Sequence, residues 1–242
     1  MITLVQEPFS SKPEPARTPK RRTMTVALGF LCHDGIVLCS DRQITKGEMK
    51  YEEQKICGIS GNGYKIAFTY AGDPDQMKRV HQDFNRKLNF RAPEPILVQS
   101  ILEDLLLETH VRLGEEMNLE CLCAVSSSDG TETLFRTNNK KVSPGYQECL
   151  GVGESALIHY ILGLLPEPVS QTHEASLLGI YLIAQVKRNT DGCGGRTDLA
   201  ILRKGEWNSP PRVIHEIELD LFAINAEFGQ ILTRKFGIGG TP

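Results

Sequence analysis

The sequence predicts an α+β fold of four layers, two antiparallel sheets face to face with helices on the outside (αββα). Three observations lead there. Strand-like and helix-like segments come in blocks: strands, two helices, strands, two helices, strands. A doubly wound parallel sheet would alternate them one for one. The chain has 242 residues, 40% hydrophobic and 24% charged, enough to bury a full core within one to two domains. No internal repeat or low-complexity tract breaks the pattern after residue 24.

Residues 1–24 read as a flexible leader or propeptide, and 25–242 as the αββα domain. Pro8, Pro13, Pro15 and Pro19 interrupt any helix or central strand there, and few apolar residues are available to bury. From Thr25 the order begins. Thr25–Leu31 and Ile36–Ser40 are short apolar runs around His33-Asp34-Gly35, a hairpin signal. Gln54–Ile59 and Tyr64–Ala71 form a second pair around Gly61-Asn62-Gly63, with Ile66, Phe68 and Tyr70 on one face. Asp73 is placed to cap a helix that starts at Pro74 and runs to about Asn89. Pro93 and Pro95 precede a second helix, Ile96 to Met117, with a stripe of Val98, Ile101, Leu102, Leu105 and Leu106.

Strand periodicity returns at Leu119–Ser126, where Leu119, Cys121, Cys123 and Val125 alternate, and again at Glu132–Arg136 and around Val142. Gly151-Val152-Gly153 opens a helix over Glu154–Leu165, stopped by Pro166 and Pro168. Ser170–Arg188 is a further helix, apolar on most sides from Leu177 to Ala184 and therefore buried. Leu199–Leu202 and Val213–Leu219 read as strands, and Asp220–Lys235 as a last helix.

Composition excludes several functions. The net charge of −3 provides no general attraction to nucleic acid. No stretch approaches the ~18 apolar residues of a membrane span. Seven scattered cysteines without a CxxC pair suit neither a disulfide framework nor a zinc site. With no secretory signal visible, the expected compartment is the cytoplasm. There is no phosphate loop, HExxH or GxSxG motif, and His33, His81, His110, His159, His173 and His215 show no ligand spacing. Neither a metal nor a cofactor is expected.

What remains is a cluster near the start of the ordered region. Thr25 begins the first strand and Asp41 ends the second, so the hairpin makes them neighbours. Lys55 follows in Gln54-Lys55-Ile56, and Gly72 ends Tyr70-Ala71-Gly72.

These residues resemble the 20S proteasome subunit family, whose members are N-terminal nucleophile hydrolases. The likeness is carried by Thr25-Val26-Ala27-Leu28, Asp34-Gly35-Ile36-Val37-Leu38, Ser40-Asp41-Arg42 with Thr45 and Gly47, Lys55-Ile56 and Tyr70-Ala71-Gly72. Gly151-Val152-Gly153 and Gly194-Gly195-Arg196-Thr197-Asp198 extend it almost to the last strand.

The resemblance implies Thr25 as nucleophile, with Asp41 sixteen residues later at the family spacing. Thr23 would need a two-residue insertion. Lys55 takes the place of the active-site lysine, Gly72 that of the oxyanion-binding glycine, and Thr45 and Gly47 that of the stretch pairing with the substrate backbone. A threonine hydroxyl is a weak nucleophile and needs a base. Its own α-amine, with a free pKa of about 8, can serve through a water once the preceding peptide bond is cut.

Three departures from the family pattern keep other functions open. Met24 stands where active relatives carry glycine, so Thr25 is freed either by autolysis of the Met24–Thr25 bond or by translation starting at Met24. Val152 replaces a supporting serine, with Ser155 nearby. Cys193 and Thr190 replace a serine and an aspartate, with Asp191 one residue from the aspartate position. The expected function is a threonine-type endopeptidase that cuts unfolded polypeptides inside a homo- or hetero-oligomeric ring, with an ATPase as a possible regulator. The alternatives are a non-catalytic subunit of such a ring and an amidase acting on small amides.

Overall fold

The computed structural model describes residues 25–46, 48–88, 94–114, 117–138, 140–151, 156–163 and 168–209, with positions 214, 216–221, 223, 226, 227 and 230. The leader 1–24, Gly47 and Ser155 lie outside the described residues.

Strand β1 (Val26–Cys32) turns at His33-Asp34 into β2 (Gly35–Asp41). A small hairpin follows, β3 (Gln43–Lys46) and β4 (Met49–Glu52), and then β5 (Cys57–Gly61) and β6 (Tyr64–Gly72). Helices α1 (Pro74–Leu88) and α2 (Pro95–Leu113) lead to β7 (Leu119–Ser127), β8 (Glu132–Asn138), β9 (Lys141–Gly145) and β10 (Gln147–Gly151). Helices α3 (Ala156–Gly163) and α4 (Thr172–Asn189) precede β11 (Thr197–Arg203) and β12 (Glu206–Asn208). Among the described residues, two antiparallel five-stranded sheets have the orders β10-β1-β2-β11-β12 and β5-β6-β7-β8-β9.

The period-two pattern assigns each side chain to a layer. Val26, Leu28 and Phe30 of β1 face α3 and α4, while Ala27 faces the other sheet. Ile66, Phe68 and Tyr70 of β6 and Cys121, Cys123 and Val125 of β7 face α1 and α2. The layer between the sheets mixes large side chains, Ile36, Leu38, Leu122, Leu134, Leu150 and Leu202 among them, with five alanines, Ala27, Ala67, Ala71, Ala124 and Ala200. Trp207 of β12 lies over Gly58 of β5, where a Cβ would come within 2.2 Å of its ring. These are the four layers expected.

Asp73 caps α1 as predicted, its Oδ1 accepting from the N–H groups of Asp75 (2.8 Å) and Gln76 (3.2 Å). The cap of α4 comes from far away in sequence. Asp34 in the β1–β2 turn accepts from the Thr172 N–H at 2.8 Å and its hydroxyl at 2.9 Å.

Some expectations are corrected. The expected strand Val213–Leu219 is corrected at its described positions: Ile214 and positions 216–219 are helical, as are 220 and 221. Val213, Ile217 and Leu219 mimic a period of two, but the residues that join the helix-side core are Ile214, Ile217 and Leu221, at helical spacing, and Leu219 is exposed. Lys55 lies in the connection before β5 rather than within a strand. Strands β3, β4, β10 and β12 were not expected. β4 is only four residues long, and its alternating Met49 and Tyr51 are exposed rather than buried, so the pattern is too short to mark a strand. Of the last helix, Asp220–Lys235, only scattered positions are described, and these are helical. Among the described residues, no helix is long and apolar enough to cross a membrane.

Candidate active site

The β1–β2 register pairs Ala27 with Ser40, so Val26 comes opposite Asp41 and Thr25 lies just beyond. The Val26 N–H donates to Asp41 Oδ1 at 3.1 Å. Lys55 enters from the β4–β5 connection. Its ammonium donates three hydrogen bonds: to Asp41 Oδ1 (2.8 Å), the Gln43 carbonyl (2.7 Å) and Thr25 Oγ1 (3.1 Å). That uses all three of its protons. Thr25, Asp41 and Lys55 are 2%, 0% and 0% exposed, so the ion pair is buried.

Asp41 is held from two sides. Oδ1 accepts from Lys55 and Val26, and Oδ2 from the N–H groups of Gln43 and Gly194, both at 3.2 Å. Burial pulls the Lys55 ammonium below the ordinary lysine range, and the adjacent Asp41 carboxylate opposes that pull. The result is a cation aimed at the Thr25 oxygen, where it favours the alkoxide over the hydroxyl.

The ends of β6 and β10 converge on the same place. A Cβ on Gly151 would lie 2.1 Å from the Thr25 carbonyl oxygen and 3.1 Å from the Ala71 Cβ. Gly72, next to Ala71, has φ of +121°, and a Cβ there would meet the Asn118 carbonyl at 2.1 Å. Only glycine fits that position.

Thr45 lies on β3. Gln43 directs its N–H to Gly194 and Asp41 and its carbonyl to Lys55, all away from β4. By the strand period, the Thr45 N–H and carbonyl also face away from β4.

The loop before β11 differs from the expected support. Asp191 is exposed and contributes its carbonyl, which accepts from Gln43 Nε2 (3.4 Å) and Lys50 Nζ (3.1 Å). Burial, with the negative Asp41 nearby, pushes the Cys193 thiol up to about 12, so it remains a protonated thiol. The loop reaches the site instead through the Gly194 N–H on Asp41.

Sequence reasoning missed Asp198. Only 4% exposed, it accepts from the Lys55 main-chain N–H at 3.0 Å and from Arg42 at 2.5 Å. The available signal was its place at the end of Gly194-Gly195-Arg196-Thr197-Asp198, at the start of a strand.

A cavity of about 150 Å³ lies beside β6 and α1, lined by residues that include Glu53, Cys57, Tyr70, Met77 and His81. Glu53 and Cys57 bracket Lys55 in sequence, and Tyr70 comes two before Gly72. Burial lowers the His81 imidazole and pushes the Cys57 thiol up to about 12. His81 Nε2 is buried without a partner among the described residues. No group of three or more His, Cys, Asp or Glu among the described residues is placed to hold a metal ion.

Comparison with known proteins locates the fold. No family model and no curated protein matches the chain. Solved structures do. Anbu from Hyphomicrobium sp. strain MC1 is 15% identical with a TM-score of 0.71, covering 90% of this chain and 99% of that one. Anbu from Yersinia bercovieri, described as an ancestral beta-subunit, is 12% identical with a TM-score of 0.71 and the same coverage. The helical assembly of the Anbu complex from Pseudomonas aeruginosa is 13% identical with a TM-score of 0.69, covering 90% of this chain and 98% of that one. These matches correct the resemblance to the 20S proteasome subunits: the similar structures are Anbu proteins, related to the 20S β-subunits but distinct from them. At such low identity the likeness establishes architecture, and the chain has the N-terminal nucleophile hydrolase-like fold of the Anbu structures.

Proposed function

We propose that the chain is a threonine-type hydrolase of peptide bonds, with Thr25 as nucleophile once the Met24–Thr25 bond is cut. The observation that supports this best is the buried Lys55 ammonium bridging Asp41 and Thr25 Oγ1 at 2.8 and 3.1 Å.

The freed α-amine takes the hydroxyl proton through a water. The Thr25 oxygen attacks the scissile carbonyl while the Lys55 ammonium stabilises its negative charge. The Gly72 N–H meets the oxyanion, a donor whose loss costs about 3 kcal/mol of transition-state stabilisation. The amine returns its proton to the leaving nitrogen, leaving an ester on Thr25. Water, activated by the same amine, then hydrolyses that ester. An extended substrate pairs with the free edge of β3 at Thr45, and the cavity beside Tyr70 receives a side chain with an apolar body.

The chain works within a self-assembly, a reading supported by the helical assembly of the Pseudomonas aeruginosa Anbu complex. A second reading, a non-catalytic subunit, is favoured by the burial of Thr25, which is 2% exposed.

Labelling of the native protein with a peptide epoxyketone separates the two, because that electrophile needs a free α-amine and a hydroxyl on one residue. Peptide mapping is expected to find the adduct on Thr25, with Thr25→Ala unlabelled, inactive and still folded. A native chain whose intact mass shows Thr25 still in peptide linkage, and which takes no label, refutes the hydrolase.

A further inference from the structure

Lys55 holds a long, flexible side chain on Asp41, the Gln43 carbonyl and Thr25 Oγ1, yet its backbone lies between β4, which ends at Glu52, and β5, which begins at Cys57. No ladder among the described strands holds the residue. The anchor that does reach it is a carboxylate 143 residues away. Asp198 Oδ2 accepts the Lys55 N–H at 3.0 Å. Its Oδ1 accepts from both Nε and Nη2 of Arg42, each at 2.5 Å. Arg42 directly follows Asp41, and its own N–H bonds the Arg196 carbonyl at 3.0 Å. Asp198 therefore joins the lysine strap, the end of β2 and the start of β11 at one point.

We propose that Asp198 is a positioning residue. Clamped by Arg42, it sets the place of Lys55 and hence of the ammonium on Thr25 Oγ1. It fills from β11 the supporting role that the exposed Asp191 does not fill from its loop. The effect on turnover rests on the Thr25 hydrolase reading, whereas the clamp itself does not.

The clamp acts by geometry and by charge. The groups facing the Lys55 ammonium are Asp41 from β2, Thr25 before β1, the Gln43 carbonyl from β3 and the Cys193 thiol from the loop before β11. Asp198 lies behind the backbone, with Arg42 beyond it. The negative Asp198 helps keep Lys55 charged, in the same direction as Asp41. Its neutralisation must lower the lysine titration, and loss of the Arg42 cation must raise it.

The test is lysine-selective 13C NMR on the full chain, following the Lys55 titration in wild type, Asp198→Asn and Arg42→Gln. Asp198→Asn is expected to lower the Lys55 midpoint by about one unit. Arg42→Gln is expected to shift it upward by less, because the guanidinium is partly exposed. If Asp198→Asn does not fold, the upward shift in Arg42→Gln carries the test. An unmoved midpoint, or movement of both variants in the same direction, overturns the clamp.

In an active wild type, Asp198→Asn should also lose about 100-fold in kcat with KM nearly unchanged. Its alkaline limb should move to lower pH. An Asp198→Asn variant as fast as wild type overturns the positioning role while leaving the hydrolase intact. A wild type without turnover or Thr25 labelling removes the hydrolase, and the NMR shifts then decide the clamp alone.

Discussion

Asp41 accepts four hydrogen bonds on two oxygens, one from an ammonium and three from backbone N–H groups. Lys55 donates three, and one lands on the Thr25 hydroxyl. Removing the lysine removes the charge that stabilises the alkoxide and leaves a buried carboxylate on backbone donors alone. Lys55→Met is therefore expected to lower turnover by about 10³-fold or more. It should also reduce unfolding stability by about 3 kcal/mol. Kinetics and urea unfolding check the two separately, and an unchanged rate would refute the role. The pH profile follows from the same group. The mechanism needs the lysine charged and the Thr25 amine neutral. Activity should fall as pH rises through the Lys55 pKa, which burial places below the ordinary 10.5, and fall again as pH drops below the amine pKa of about 8. An alkaline limb of kcat/KM at or above the ordinary lysine value would contradict this. The meeting of Thr25 and Asp41 is legible in the sequence, because a hairpin aligns its two ends. The Asp198 contact is not, because nothing near Asp198 or Lys55 in sequence records a bond across 143 residues.

At the scale of elements, one close approach seats α4 on its sheet. Helix α4 crosses β2 at Gly179, where an added Cβ would lie 2.4 Å from the Cys39 sulfur. Both residues lie in the buried helix-side layer. Alanine there gains about 1 kcal/mol of helix propensity, and overpacking costs about 1–3 kcal/mol. Gly179→Ala is expected to lower the urea midpoint, and the double variant with Cys39→Ala to recover most of the loss. A single variant as stable as wild type would show that the helix moves aside freely. Because Cys39 and Asp41 share β2, the same contact helps set the strand that carries the carboxylate. The long helices and the central strands were readable from their periodicity and caps. The β3–β4 hairpin was not, since exposed Met49, Lys50, Tyr51 and Glu52 carry no buried-face pattern. The segment 213–219 misled because β-branched and apolar residues fall at a period of two while the buried ones fall at helical spacing.

At the scale of the molecule, four layers leave apolar side chains on the outside, among them Ile96 and Val111 of α2 at 79% and 78% exposure. The proposed self-assembly predicts a solution mass well above the 26.9 kDa of one chain, measured by light scattering on a sizing column. A monomer at all concentrations would refute it. The sequence by itself determined the layered αββα architecture, the β1–β2 hairpin and the threonine, aspartate and lysine worth testing. The architecture and the hairpin depend on period, turn chemistry and capping, which near neighbours in the chain decide, and the three site residues on their spacing and the family resemblance. Only the tertiary structure decided that Asp198 accepts the Lys55 N–H while Asp191 is exposed, that the Gly194 N–H completes the Asp41 carboxylate, and that Ile214 and positions 216–219 are helical rather than strand. Those outcomes depend on which distant segments meet in a closed sandwich, where a buried charge takes whichever partner the packing brings within reach.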